Sequence, residues 1–300
     1  MTKKRAVLIY NPMSGRAGRR AEDARLMEEL LYERGIDLNS QATQGPNDAS
    51  RLAREAVEDC ADIIIGYGGD GTLNEILQGM VDSRAALAVW AGGTSNVVAR
   101  DLGLKVGMEQ LADIIAAGKT KRIALGVARW NNGAEKQERY FLMFAGIGLD
   151  ASIARNVNPK LKRKTGEFAF WVSGIKHLAT WEAEPFTIEV DGEKHEGVFA
   201  VIGNGKGYGG GISLTPHACL EEPWFEVSIF PGRANNLAYL PDLARCMMGE
   251  PEKTSATMVR GRHVSANSSD DLWVEVDGEL IGPLPMEFYA LPDALPVIIP

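Results

Sequence analysis

Residues 61–80 read ADIIIGYGGDGTLNEILQGM, and this stretch decides the fold. Ile63, Ile64 and Ile65 make a short apolar run of the kind a buried strand presents. Gly66, Gly68, Gly69, Asp70 and Gly71 fill a turn, and a helical pattern follows from about Thr72. Strand, glycine-rich turn and helix together form the repeating unit of a parallel sheet. Loops that cradle phosphate look like this, yet an aspartate stands where a P-loop would carry its lysine.

The same grammar extends to either side. RAVLIY (5–10) is a strand that ends in the polar loop NPMSG (11–15). A helix follows with Leu26, Met27, Leu30 and Leu31 on one face and Gly35 as its stop. IDLNSQAT alternates as a strand does, and Asn47 or Asp48 is placed to cap the next helix. ALAVW (86–90) runs into AGGTSN and another helix, and residues 107–118 form an amphipathic helix that stops at Gly118. The pattern predicts an α/β domain over 1–125, a three-layer α/β/α arrangement around a mainly parallel sheet. Ligands of such sheets bind at the carboxyl ends of the strands, where all three polar loops lie. Beyond about residue 121, short strands with turn dipeptides take over, as in FTIEVDGEKHEGVFAVIGNG and LWVEVDGEL. They predict a mainly antiparallel β-sandwich domain over 126–300, interrupted by helices at 165–181 and 235–249.

Composition bounds the function. The 300 residues carry a formal net charge of −8, which argues against a nucleic-acid partner despite the local basic run RNVNPKLKRK (155–164). Cys60, Cys219 and Cys246 have no CxxC spacing and cannot all pair, so a reduced, cytoplasmic compartment is the simple reading. The apolar run at the start ends at Asn11-Pro12, too soon for a signal segment, and no run approaches the length of a membrane span. A soluble chain is expected, at most peripheral at an inner membrane, and a homodimer stays open as its assembly.

The chemistry sits in the loops. Consecutive glycines permit positive φ and let backbone N–H groups converge on an anion, and a helix N-terminus faces the same place. Backbone alone could therefore hold a phosphate. A carboxylate at position 70 then suggests a Mg²⁺ ligand or a base acting on a hydroxyl. GGDGT by itself is also what a turn with a capping aspartate looks like. GGTSN (92–96) repeats the arrangement and NPMSG supplies a third polar loop, and three such loops at one sheet edge are hard to explain as turns alone.

With NPMSG, GGDGTLNEILQG (68–79) and GGTSNVVARDLGL (92–104), the chain resembles the diacylglycerol kinase catalytic-domain family, which includes bacterial lipid kinases and sphingosine kinases. FAGIGLDASIA (144–154), VIGNGKGYGGGISLTPHA (201–218) and VEVDGE (274–279) are similar to later segments of that family, in the same order. The resemblance implies an ATP- and Mg-dependent lipid kinase, with a nucleotide-binding domain, a lipid-substrate domain and an active site in the cleft between them. It implies ATP-binding positions at Asn11, Thr43, Gly69, Asp70, Gly71, Thr72, Asn74, Glu75, Thr94 and Asn96. It implies Asp70 near the γ-phosphate through Mg²⁺, and Glu279 of the late Asp-Gly-Glu as general base. Asp-Gly is also a hairpin signal, and Asp191-Gly192-Glu193 in IEVDGEKH reads as an ordinary turn of that kind.

Two departures stand out. Val97 follows Asn96 where many members carry aspartate. Glu222-Pro223 stands where the family has an Asp-Gly pair beside a structural Mg²⁺; glutamate suits a hard cation, but Pro223 fixes φ and removes a donor. The expected acceptor is diacylglycerol or a related lipid presented at a membrane surface. The basic run and the aromatic stretch 165–181, with Phe168, Phe170, Trp171 and Trp181, would serve such a surface, although a core helix behind a solvated loop explains them equally. Tyr208 and the glycines of 207–211 would admit an acyl chain or form a flexible loop. Two alternatives remain at this level. One is an NAD kinase-like enzyme, against which Asn74-Glu75 counts by lying inside the glycine motif. The other is a nucleotide- or lipid-binding protein with reduced catalysis.

Overall fold

The computed structural model of the chain describes residues 3–13, 18–156, 177–178, 180–209 and 212–300. Most of the basic run 155–164, most of the aromatic stretch 165–181, and Ser14, Gly15, Gly210 and Gly211 lie outside the described residues. The chain forms two units, residues 1–124 with 293–300, and residues 125–292.

The first unit alternates β1 (Lys4–Tyr10), α1 (Arg20–Glu33), β2 (Ile36–Ala42), α2 (Asp48–Glu58), β3 (Ile63–Gly68), α3 (Asp70–Met80), β4 (Ala86–Ala91), α4 (Val97–Asp101) and α5 (Met108–Ala117). The four strands run in the order β2-β1-β3-β4 and every pairing is parallel. All of β3 is buried, as a parallel strand covered on both faces must be. The helices pack as two pairs, α1 with α5 and α2 with α3. Gly79 sets the second pairing: a Cβ there would lie 2.3 Å from the Ser50 carbonyl oxygen, so only glycine lets α3 approach α2 this closely.

The second unit holds most of β5 (Thr120–Asn132), then β6 (Glu135–Phe141), β7 (Phe144–Ile147), α6 (Leu149–Asn156), β8 (Phe186–Val190), β9 (Glu193–Gly197), β10 (Phe199–Gly203) and β11 (Phe225–Phe230). There follow α7 (Leu240–Met247), β12 (Thr257–Gly261), β13 (His263–Asn267), β14 (Trp273–Val276), β15 (Glu279–Pro283) and most of β16 (Met286–Ile298). One sheet has the order β12-β11-β10-β7-β14-β15 and is antiparallel throughout. Against it stand the antiparallel pairs of β13 with β16 and β8, β8 with β9, and β5 with β6. Phe141, Phe225, Phe288, Ile188 and Ile202 fill the core of this sandwich, with the Phe141 and Phe225 rings stacked at 5.8 Å. α6 packs on β7, β14 and β15. The helix expected at 235–249 is a 3₁₀ turn (Asn236–Tyr239) followed by α7.

Residues 293–300 fall with the first unit, whereas the sequence pattern assigns all of 126–300 to the second domain. Val297 pairs in parallel with Leu87 of β4, and the Ile299 N–H donates to the Lys119 carbonyl at 3.0 Å. Leu295, Val297 and Ile298 are buried, and this apolar end gives β4 the strand partner its open edge needs.

Candidate active site

The three polar loops follow β1, β3 and β4. None of the glycines at 66, 68, 69, 71, 92 and 93 has positive φ, so the freedom expected of them is not what the loops use. They are needed for close approach. A Cβ at Gly68 would lie 2.6 Å from Thr72 Cβ, and one at Gly93 would lie 2.5 Å from Gly69 Cα. The Gly92 N–H also donates to the Gly68 carbonyl at 2.9 Å. The loops after β3 and β4 thus touch glycine to glycine. The residue with positive φ is Asn96 (φ 46), whose side chain returns to Gly93, accepting its N–H at 2.7 Å and donating to its carbonyl at 2.9 Å.

Asp70 begins α3 but does not cap it. Its Oδ1 accepts the Val98 N–H, at 3.3 Å, from the first turn of α4. The carboxylate therefore ties the first glycine loop to the helix that follows the second. Burial pushes its pKa up, opposed by the amides of Val98 and Val97 and by the charge of Arg100. Thr72 closes the first turn of α3, its N–H donating to the Gly69 carbonyl at 3.0 Å. Val97, in place of an expected aspartate, is a buried part of α4.

The remaining nucleotide candidates divide. Asn11 Oδ1 accepts the Met13 N–H at 2.9 Å, Thr43 donates its N–H to the Tyr10 carbonyl at 2.9 Å, Thr94 is exposed and Gly71 stands open. Asn74 is buried in α3. Glu75 Oε2 accepts the Ala49 N–H at 3.3 Å and so caps α2 from outside. The cap expected from Asn47 or Asp48 is not made: Asn47 has φ 63 and no capping bond, and Asp48 binds the Gln44 N–H and Arg51.

A cluster unseen in the sequence lies beside the glycine loops. The Tyr67 ring stacks on Trp90 at 3.7 Å, and the Arg20 guanidinium lies 3.8 Å from the Tyr67 ring centre while donating to the Gly92 carbonyl. The Tyr67 hydroxyl donates to Asp23 at 2.6 Å, and burial with that bond pushes the phenol up to about 12. Arg19, Arg20, Asp23, Tyr67 and Gly92 line a cavity of about 310 Å³. The signal that could have found it is the register of β3 against β4, which brings the two aromatic residues side by side.

In the second unit, Asp277 accepts three backbone N–H groups, from Leu142 (2.8 Å), Met143 (2.9 Å) and Phe144 (3.1 Å). Glu279 is exposed and forms an ion pair with Arg139. Glu275, four residues before the end of the Asp-Gly-Glu, is 1% exposed and lies close to Asp150, itself 5% exposed. The Tyr208 hydroxyl donates to Asp150 Oδ1. Burial first, then the Asp150 charge, holds Glu275 well above the usual carboxylate range. Asp150 and Tyr208 line an apolar pocket with Leu149, Ile153, Trp181, Phe230 and Leu243 among its walls. Glu275 escaped the sequence reading because alternation in VEVDGE does not reveal that α6 covers its face.

Comparison with known proteins fits this layout. Residues 5–128 match the model of the diacylglycerol kinase catalytic domain, and residues 144–299 match that of the YegS C-terminal NAD kinase beta sandwich-like domain. The diacylglycerol kinase of Bacillus subtilis (strain 168) is 30% identical over 302 residues, covering 99% of this chain and 97% of that protein. The chain belongs to the diacylglycerol kinase family. It is a lipid kinase by that membership. The diacylglycerol kinase of Staphylococcus saprophyticus is also 30% identical, covering 99% of this chain and 96% of that protein. A crystal structure of a diacylglycerol kinase from Bacillus anthracis str. Sterne has the same fold, with a TM-score of 0.80 at 24% identity over 100% of this chain and 98% of that one.

Among the described residues, no group of three or more His, Cys, Asp and Glu side chains is placed to hold a metal ion. For the Mg²⁺ of a kinase this fits, because such an ion takes one or two carboxylates and fills its shell with nucleotide phosphates and water. Asp70 offers that carboxylate. The second expected metal position does not fit. Glu222 is exposed, Pro223 follows it, and the nearby Glu226 is engaged by the His217 N–H at 2.7 Å. No described helix is long and apolar enough to cross a membrane.

Proposed function

We propose that this lipid kinase uses ATP and Mg²⁺ to phosphorylate the hydroxyl of diacylglycerol or a related lipid presented at a membrane surface. The observation that carries the reading is Asp70, a half-buried carboxylate joining the two glycine loops, with its pKa raised by burial. The resemblance places the triphosphate against Gly69, Gly71, Thr72 and Asn96, and the backbone packing of these loops supports it. Mg²⁺ bound with ATP would neutralise charge on the transferring phosphoryl group, and Asp70 would hold it. Glu279 accepts the proton of the lipid hydroxyl as its oxygen bonds to the γ-phosphorus and the bond to the bridging oxygen of ADP breaks. Arg139 orients Glu279 for this role. Glu75 also ties α3 to α2 through the Ala49 N–H, and Asn74 is buried in α3.

The test is transfer from γ-labelled ATP with Mg²⁺ to a panel of glycerolipids and long-chain bases, with NAD in a parallel reaction. Labelled lipid is expected, and Asp70→Ala should abolish it. NADP formation, or ATP binding with no transfer to any lipid, would overturn the proposal.

A further inference from the structure

The first turn of α1 grips the glycine loops from the side. Arg20 and Asp23 lie one turn apart on that helix and so share a face. Asp23 accepts the Tyr67 hydroxyl at 2.6 Å, and the Arg20 guanidinium lies 3.8 Å from the centre of the same ring. On Tyr67 stacks Trp90, with the two planes 12° apart. The guanidinium also donates to the Gly92 carbonyl. That carbonyl shares one rigid peptide plane with the Gly93 N–H, so holding the first aims the second. The Gly93 N–H meets Asn96 Oδ1 at 2.7 Å, and Asn96 precedes α4, whose Val98 N–H meets Asp70. A line of contacts therefore runs from α1 through the Gly92–Gly93 peptide to the whole loop 92–96.

Packing alone does not account for Arg20. The residue is 4% exposed, and a cation so placed is costly to desolvate. An apolar side chain would cover Tyr67 at less cost. What the guanidinium adds is a flat fork that lies on an aromatic ring and donates from its own plane, which a lysine ammonium cannot copy. We propose that Arg20, seated on the Tyr67–Trp90 stack, is a positioning residue of the nucleotide site: it fixes the Gly92–Gly93 peptide and serves nucleoside triphosphate affinity more than the chemical step. This inference rests on the ATP reading above. Asp70 begins α3, whose place is set by its close packing on α2 at Gly79, so its carboxylate stays in position when the second loop loosens. Loss of Arg20 then removes binding that ground state and transition state share, which raises KM and spares kcat.

The experiment has two arms on the full chain. One is calorimetric binding of ATP with Mg²⁺; the other is lipid phosphorylation with ATP varied at saturating lipid. Arg20→Ala is expected to weaken ATP binding and raise KM for ATP at least about tenfold, the scale of a hydrogen bond from a charged donor. Its kcat should stay within about threefold of wild type, and KM for the lipid should not move. Arg20→Lys restores the charge without the fork and should remain at least about fivefold weaker for ATP. Tyr67→Leu removes the ring beneath Arg20 and should weaken ATP in the same direction. Arg34→Ala makes the same charge change at the far end of α1, where Arg34 pairs with Asp113 at 2.7 Å, and should match wild type. If Arg20→Ala does not fold, Arg20→Lys and Tyr67→Leu carry the test. Unchanged ATP affinity in these folded variants, full recovery in Arg20→Lys, or a kcat that falls as steeply as affinity would each overturn the proposal and leave the ATP reading standing. A wild-type chain that binds no ATP would overturn both.

Discussion

The pentapeptide Glu-Val-Asp-Gly-Glu occurs twice, at 189–193 and 275–279, and the two copies make one hairpin with two fates. Both aspartates have φ 47, and Gly192 and Gly278 follow with φ 93 and 86. Both aspartate side chains accept backbone N–H groups from a neighbouring strand start, Asp191 from Arg262 and His263, Asp277 from Leu142, Met143 and Phe144. The local sequence therefore fixes the turn and its anchor. What differs is what covers each copy. Glu189 lies beside Lys194 at 4.0 Å with its side chain 38% exposed, whereas Glu275 is buried beneath α6 against Asp150. Glu193 faces His195 at 3.5 Å and Glu279 faces Arg139. The motif is a folding device first, and the two copies differ in the surface that closes over them.

Activity should separate the two hairpins most. If Glu279 is the proton acceptor, Glu279→Gln should lower kcat by about 10²–10⁴, the usual worth of a positioned base. Glu193→Gln, the same change in the other hairpin, should leave lipid phosphorylation at the wild-type rate. Equal losses in both variants would show that the turn and not the carboxylate matters. Stability comes next. Asp277→Ala strips an acceptor from three part-buried amides, and at roughly 1–2 kcal/mol for each bond it should lose about 3–6 kcal/mol in denaturant unfolding. Asp191→Ala, whose bonds are solvent-exposed, should lose about 1–2 kcal/mol by the same reasoning.

Much of the first unit was legible, and the reason is local. The order of strand, glycine turn and helix at 61–80 sets a parallel unit whatever surrounds it, and the polar loops at 11–15 and 92–96 repeat it. The reading of the glycines was less secure, because glycine serves positive φ and close approach equally well. Only the 2.5 Å between a Gly93 Cβ and Gly69 Cα tells which is used. Glu75 reads as part of a nucleotide motif, and the motif does not reveal its bond to α2, made to Ala49 26 residues away. Glu275 was invisible for a related cause: strand alternation gives its face but not the helix above it. The sequence pattern runs the second domain to residue 300, whereas residues 293–300 group with the first unit, because an apolar run does not say which sheet lacks an edge partner.

The smallest expected effect depends on pH and separates the two glutamates most finely. Glu275 holds its proton more tightly in the folded chain than at its free value of 4.5, with burial the first cause. A carboxyl with a raised folded pKa contributes stability fully below the unfolded value and loses that contribution as pH rises through the folded one. Glu275→Gln keeps a neutral donor at the same place with no proton to lose. Its Tm should therefore gain on wild type as pH is raised from about 4.5 upward, each kcal/mol appearing as about 2–4 °C in a domain of this size. Asp70, whose pKa is also raised by burial, is present in both chains and cancels from the difference. Glu189→Gln removes only an exposed ion pair with Lys194, and its offset from wild type should stay within about 0.5 kcal/mol across the same range. A Tm difference for Glu275→Gln that does not change with pH would mean that the buried copy ionises as freely as the exposed one, and the contrast between the two hairpins would then reduce to packing.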